Sequence, residues 1–171
     1  KAAWLWVPKC FNGEKNMLDL NRQSIEPQAG DGVYAPQPAR TFKLASDVAA
    51  PVGATTPCKL AGKASTGMPI ITPITAATDV VYCVIANNLR HNTFAANGHV
   101  KAWVADEVVW LEASAAITSG KTVQADVAGT VSTQVAANPV LGIAESSASA
   151  AGDLVAVRLT CPYNVYGAAA A

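Results

Sequence analysis

Between residues 115 and 159 the chain is a succession of short valine-rich runs cut by glycine and aspartate. Ile117, Gly120, Val123, Asp126, Gly129 and Val131 form one unit, and Val140, Leu141, Gly142, Ile143 and Ala144 form the next. Gly152 and Asp153 then open a last run in which Val155, Val157 and Leu159 alternate with Ala156, Arg158 and Thr160. Apolar runs this short have no room for an amphipathic helix, which needs a longer segment and a period near 3.6. They read as extended strands joined by tight turns. This stretch predicts an all-β fold, a small β-barrel or β-sandwich.

The same signals run upstream. Candidate strands fall at 41–44, 58–61, 69–74, 79–85, 99–105 and 108–111, at the spacing expected of sandwiches and barrels. In 99–105, Val100, Ala102 and Val104 alternate with Lys101 and Trp103, so one face points inward and the other outward. Asp106 and Glu107 interrupt before the next strand and predict a turn or bulge. Pro57, Pro69, Pro73 and Pro139 fall at strand starts or edges, where a missing amide donor costs least. A repeat is also legible. Leu44, Ala49, Gly53, Ala61, Gly62, Ser65 and Thr66 recur about 67 positions later as Leu111, Ala116, Gly120, Ala128, Gly129, Ser132 and Thr133. With a further shift Asp79-Val80-Val81 matches Asp153-Leu154-Val155. Two similar units that pack together to close one barrel would explain these matches.

Residues 1–38 differ from the rest. Aromatic, amide and charged residues mix without period, and Asn12-Gly13, Pro27, Gly30, Asp31-Gly32, Pro36 and Pro38 punctuate the segment. It reads as an extended, irregular N-terminal arm before an all-β domain at 39–171, with a short helix conceivable around 15–20. Trp4, Trp6, Phe11 and Tyr34 are its candidate contact residues. They are either anchors for a neighbouring subunit or side chains folded back on the chain's own core. The tail at 167–171 is too short to matter to the fold.

The 171 residues suffice for one domain with a proper core, or one plus an arm. Twelve basic and twelve acidic residues give zero formal charge, with no electrostatic footprint for nucleic acid or an anionic membrane. Charged residues are 14% of the chain against a typical quarter, which leaves a surface suited to covering by partners. The apolar patch Trp4-Leu5-Trp6-Val7 is cut by Pro8 and Lys9, short of a signal-peptide core, and no run approaches the roughly 18 residues of a bilayer span. The expectation is a soluble protein outside the general secretory route. Cys10, Cys58, Cys83 and Cys161 lack metal or redox spacing and read as buried reduced thiols; a Cys10 to Cys161 bridge would require an oxidising compartment.

No catalytic set emerges. His91 and His99 flank a polar turn without a third ligand, and Asp106-Glu107 would point to opposite faces of a strand. The segment 62–67 resembles a phosphate loop but lacks the early glycine and the hydroxyl after the lysine. Ser114, Ser119, Ser146 and Ser147 have no glycine elbow. Asp126 and Gly129 have the spacing of a hairpin turn in which the aspartate bonds its own backbone. The chain reads as a non-enzyme without cofactor or metal.

Over residues 41–160, the pattern Ile117-x-x-Gly120-x-x-Val123-x-x-Asp126-x-x-Gly129-x-Val131, then Leu141-Gly142-Ile143-Ala144 and Gly152-Asp153-x-Val155-x-Val157-x-Leu159, resembles the small cement, or decoration, proteins on the heads of tailed bacteriophages. The upstream part, 67–85, looks like the same kind of unit. The resemblance implies an all-β structural virion protein on the outer surface of the capsid, assembled in the host cytoplasm. It implies a homotrimer that clamps neighbouring copies of the major capsid protein and stabilises the head against internal DNA pressure. The irregular first 38 residues depart from the compact pattern and fit a capsid-gripping arm. The competing expectation is a carbohydrate-binding or adhesin-type β-sandwich on a virion or cell surface, with Trp103, Trp110 and Tyr82 as a stacking platform.

Overall fold

The computed structural model describes residues 29–33, 40–49, 56–65, 67–86, 93–135 and 137–161. Among them every regular element is a strand, as the valine-rich runs predict: β1 (Arg40–Leu44), β2 (Val48–Ala49), β3 (Thr56–Lys63), β4 (Pro69–Pro73), β5 (Cys83–Ile85), β6 (Thr93–Phe94), β7 (His99–Trp103), β8 (Val108–Glu112), β9 (Thr122–Ala125), β10 (Val131–Thr133), β11 (Gly142–Ala144) and β12 (Leu154–Leu159). The part of the arm outside 29–33, with the conceivable helix and the 167–171 tail, lies outside the described residues.

The strands form two units in sequence. In the first, β1, β4, β3, β5 and β7 close into a barrel. Five strands around a ring cannot alternate direction at every contact, so one contact must be parallel. It is β1 with β4, where Lys43 faces Ile70 and Leu44 faces Ile71; the other four are antiparallel. Phe42, Leu44, Cys58, Ile71, Cys83, Ile85, Val100 and Ala102 fill the interior. In the second unit the order is β10-β9-β11-β12-β8, all antiparallel. Just past β8, Ala113 bridges Val131 in parallel and the Ser114 amide donates to the Val131 carbonyl at 2.8 Å. The second sheet thus also turns back on itself, again with one parallel contact.

The two units share a topology. If β1, β3, β4, β5 and β7 are taken as β8, β9, β10, β11 and β12, every neighbour relation is kept. The individual hydrogen bonds repeat as well. Ala45 N–H to Ile71 O (2.9 Å) matches Ser114 to Val131 (2.8 Å), and Tyr82 to Cys58 matches Leu141 to Val123, both 2.7 Å. Asn97 to Leu44 (2.9 Å) matches Gly152 to Ala113 (2.8 Å), and both donors sit at positive φ, 64° and 89°. The hairpins 64–68 and 126–130 match through Gly67 and Gly129, at φ 82° and 88°, a backbone that glycine adopts without strain.

This corrects the repeat in two respects. The first unit closes its own barrel and the second is a sheet of its own, turned back through the Ala113–Val131 bridge, instead of the two contributing halves of one barrel. The register also differs: Leu44 corresponds to Ala113 and Phe42 to Leu111, an offset of about 69 that shrinks to about 55 by the last strand as connections shorten. Asp79 and Asp153 are not equivalent, since one precedes β5 and the other precedes β12. They match because a local turn recurs. Asp79 Oδ2 accepts from the Thr75 amide (2.7 Å), the Thr75 hydroxyl (3.1 Å) and the Ala76 amide (3.1 Å). Asp153 Oδ2 accepts from the Ser149 amide (2.8 Å), its hydroxyl (2.6 Å) and the Ala150 amide (3.0 Å).

The strand expected at 79–85 shortens to β5 because Asp79 belongs to that turn. The alternation in β7 ends at Trp103, which is 1% exposed although it points out of its own barrel. It does so because Ile74, Val81, Val84 and Trp103 of the first unit join Val109, Leu111, Val123, Val131, Val155 and Val157 of the second in one core cluster. Burial of this shared face, worth about 1.5–3 kcal/mol for each large side chain, ties the units together.

Candidate functional site

The described residues present faces rather than a gathered set of reactive groups. Trp4, Trp6, Phe11 and Tyr34, the candidate contact residues, lie outside the described residues, as do His91 and Cys10. What is described of the first 38 residues is a strap at 29–33 laid along β8. Gly30 N–H donates to Trp110 O (2.6 Å), Trp110 N–H to Asp31 O (2.8 Å) and Val33 N–H to Val108 O (2.8 Å). The Trp103 indole donates to Gly30 O at 2.8 Å, so the strap is fastened at the junction of the two units. It covers a sheet edge that would otherwise present unpaired backbone.

The proposed aromatic platform does not form. Trp103 is buried in the shared core, Tyr82 packs edge-on against Phe42 with ring centroids 5.8 Å apart, and Trp110 is half-buried beside the strap. Among the described residues no three of histidine, cysteine, aspartate and glutamate gather as metal ligands. His99 stands exposed at the start of β7. Asp106 takes the corner of a turn at φ 70°, and the Glu107 carboxylate accepts the Val104 amide at 2.7 Å, which makes the pair a turn device. Asp126 does sit in the hairpin, but its carboxylate accepts the Ser114 and Ser132 hydroxyls (3.0 and 3.3 Å), pinning the hairpin to the end of β8. The segment 62–67 runs from the end of β3 into a hairpin.

Cys58, Cys83 and Cys161 are free and buried. Burial pushes the Cys58 and Cys161 thiols up to about 12, and Cys83 is raised as well, through burial first and then its neighbours Cys58 and Cys161. A thiol held protonated in this way is a poor nucleophile.

The zero net charge of the whole chain conceals a difference between its two halves. Residues 40–104 carry six basic side chains (Arg40, Lys43, Lys59, Lys63, Arg90, Lys101) against Asp47 and Asp79, formally +4. Residues 105–161 carry six acidic ones (Asp106, Glu107, Glu112, Asp126, Glu145, Asp153) against Lys121 and Arg158, formally −4. Counting by half would have found it, once the boundary was known. The strand registers of the two units can be set side by side. On the outside of β1 and β7, Lys43 lies beside His99 and Thr41 beside Lys101. On the outside of β8 and β12, Glu112 lies beside Leu154, Trp110 beside Ala156 and Val108 beside the exposed Arg158. Lys43 and Glu112 occupy the same position in the two units.

No protein-family model matches the chain, and no curated protein matches it. Among solved structures it is similar to the N base of the head fiber gp8.5 in bacteriophage phi29, at 17% identity and a TM-score of 0.43, over 71% of this chain and 92% of that one. A likeness at this distance assigns no function.

Proposed function

We propose that this chain is a structural virion protein of a tailed bacteriophage, bound to the outer surface of the assembled capsid as a homotrimer that clamps neighbouring major capsid subunits. The observation that supports the reading is the folding of the resemblance itself. The glycine and valine stretch from Ile117 to Leu159 folds into one sheet that turns back on itself, and the half before it repeats the same topology. Two stiff blocks of like shape, joined through a common core, suit a part that must bridge two lattice subunits without yielding.

A clamp that binds the assembled lattice and not the free subunit stabilises the lattice by mass action, and many weak copies add up. Cryo-microscopy of heads made with and without the protein tests the reading. External density at the local threefold positions is expected in the first and missing from the second. Identical outer surfaces in the two preparations would end it.

A further inference from the structure

We propose that the strap at 29–33 is a releasable strand, and that the edge of β8 with the Trp103 indole forms a slot that takes an extended segment of the strap's own sequence. The inference does not depend on the capsid reading. It rests on a comparison of the two units and on how lightly the strap is held.

In the first unit the hairpin beside β1 is long. β3 has eight residues and β4 five, and β4 pairs with both Lys43 and Leu44 of β1. In the second unit the matching hairpin is short, with four residues in β9 and three in β10. β10 meets the chain past β8 only through Val131 at Ala113, the counterpart of Leu44. β8 is the last strand of its sheet, so its side away from β12 is left without a strand of its own unit. The strap lies there antiparallel, with Gly32 opposite Val109.

This is strand addition, in which backbone bonds supply the hold and side-chain positions the selectivity. The hold is the three bonds that Gly30, Asp31 and Val33 make with Trp110 and Val108. Selectivity resides at two positions. Ala29 is 5% exposed, so the slot selects a small side chain there. Gly30 takes φ 89° while its carbonyl accepts the Trp103 indole, a backbone that a β-branched residue adopts only under strain. Against these contacts stands little apolar burial: Ala29 is the strap's one buried apolar side chain, and Val33 is half-exposed. A segment held in this way opens at a lower free energy than the core beneath it.

Two measurements test the proposal. Amide exchange on the full chain is expected to show Gly30, Val33 and Trp110 exchanging at least about 100-fold faster than the amides of β12. Strap amides no faster than those of β12 would overturn it. The second measurement uses the full chain with a protease site inserted between Gln37 and Pro38. After cutting, the 1–37 piece is expected to stay bound through gel filtration and to be replaced by excess isotope-labelled peptide of the same sequence. The same peptide carrying Gly30→Val is expected to be taken up at least about ten-fold less. Because that change sits in the added peptide, the folding of the body is not in question. A piece lost on cutting, a piece that exchanges only when the body unfolds, or equal uptake of the two peptides would each overturn the proposal.

Discussion

Replacing Gly142 with alanine should be the most damaging single-methyl change in the second unit. Gly142 lies mid-sheet, facing Leu159 of β12 on one side and Val123 of β9 on the other. A Cβ there would stand 2.8 Å from Val157 Cγ1 and 3.0 Å from the Arg158 carbonyl carbon, and would overlap the Arg158 carbonyl oxygen. The obstacle is backbone, which cannot swing aside as a side-chain tip would. Relief requires β11 and β12 to part. Overpacking of this kind costs roughly 1–3 kcal/mol, and one weakened ladder bond adds about 1 kcal/mol. The expected loss is therefore roughly 2–4 kcal/mol, a fall in Tm of about 6–12 °C for a chain of this size. Gly120→Ala is the control. Gly120 sits at φ 83° with open space where the Cβ would go, so only left-handed strain of about 1 kcal/mol is added. Urea unfolding followed by tryptophan fluorescence measures both. A Gly142→Ala protein as stable as the Gly120→Ala protein would refute the reasoning. The equivalent position in the first unit is Cys83, which shows that the topology tolerates a side chain there and that the tight approach is particular to the second.

Trp103→Phe removes the indole donor from Gly30 O and trims the shared core, with an expected loss of about 1–3 kcal/mol and faster proteolysis ahead of residue 34; unchanged cleavage would argue against a fastened strap. The Asp79 carboxyl is held well below the usual range by Lys59 first and then the Thr75 amide, and Asp153 is lowered by the Ser149 hydroxyl and amide and the Ala150 amide. Both folded values lie below the unfolded one near 3.9, so these carboxylates stabilise above about pH 4 and the contribution is lost as pH falls toward the folded values. Asp153→Asn should flatten the dependence of stability on pH between about 4 and 2, and an unchanged slope in urea unfolding would contradict it. At pH 8 the Cys58, Cys83 and Cys161 thiols should resist a disulfide reagent in the native state and react on unfolding; mass-spectrometric detection of native modification at any of the three would show that they are reachable.

What the sequence determined by itself was local. Short valine runs cannot be helices, so the all-β class was legible, and so were the turns at Gly67, Gly129 and Asp153, because each is fixed by a few adjacent residues. Local chemistry also misled, since the Thr75 and Ser149 turns look like a repeat while standing in different connections. Only the tertiary structure decided that the first half closes its own barrel and the second forms a separate sheet turned back on itself, because that depends on which distant strands meet, and a glycine and valine pattern fits several pairings. It also decided the fate of Trp103, whose alternation places it outward on its barrel while the neighbouring unit makes that outside an interior. The charge asymmetry between the halves lay in the sequence throughout, but only the fold drew the boundary between β7 and β8 and set Lys43 and Glu112 at equivalent positions of the two units, because that correspondence depends on strand pairing across the chain.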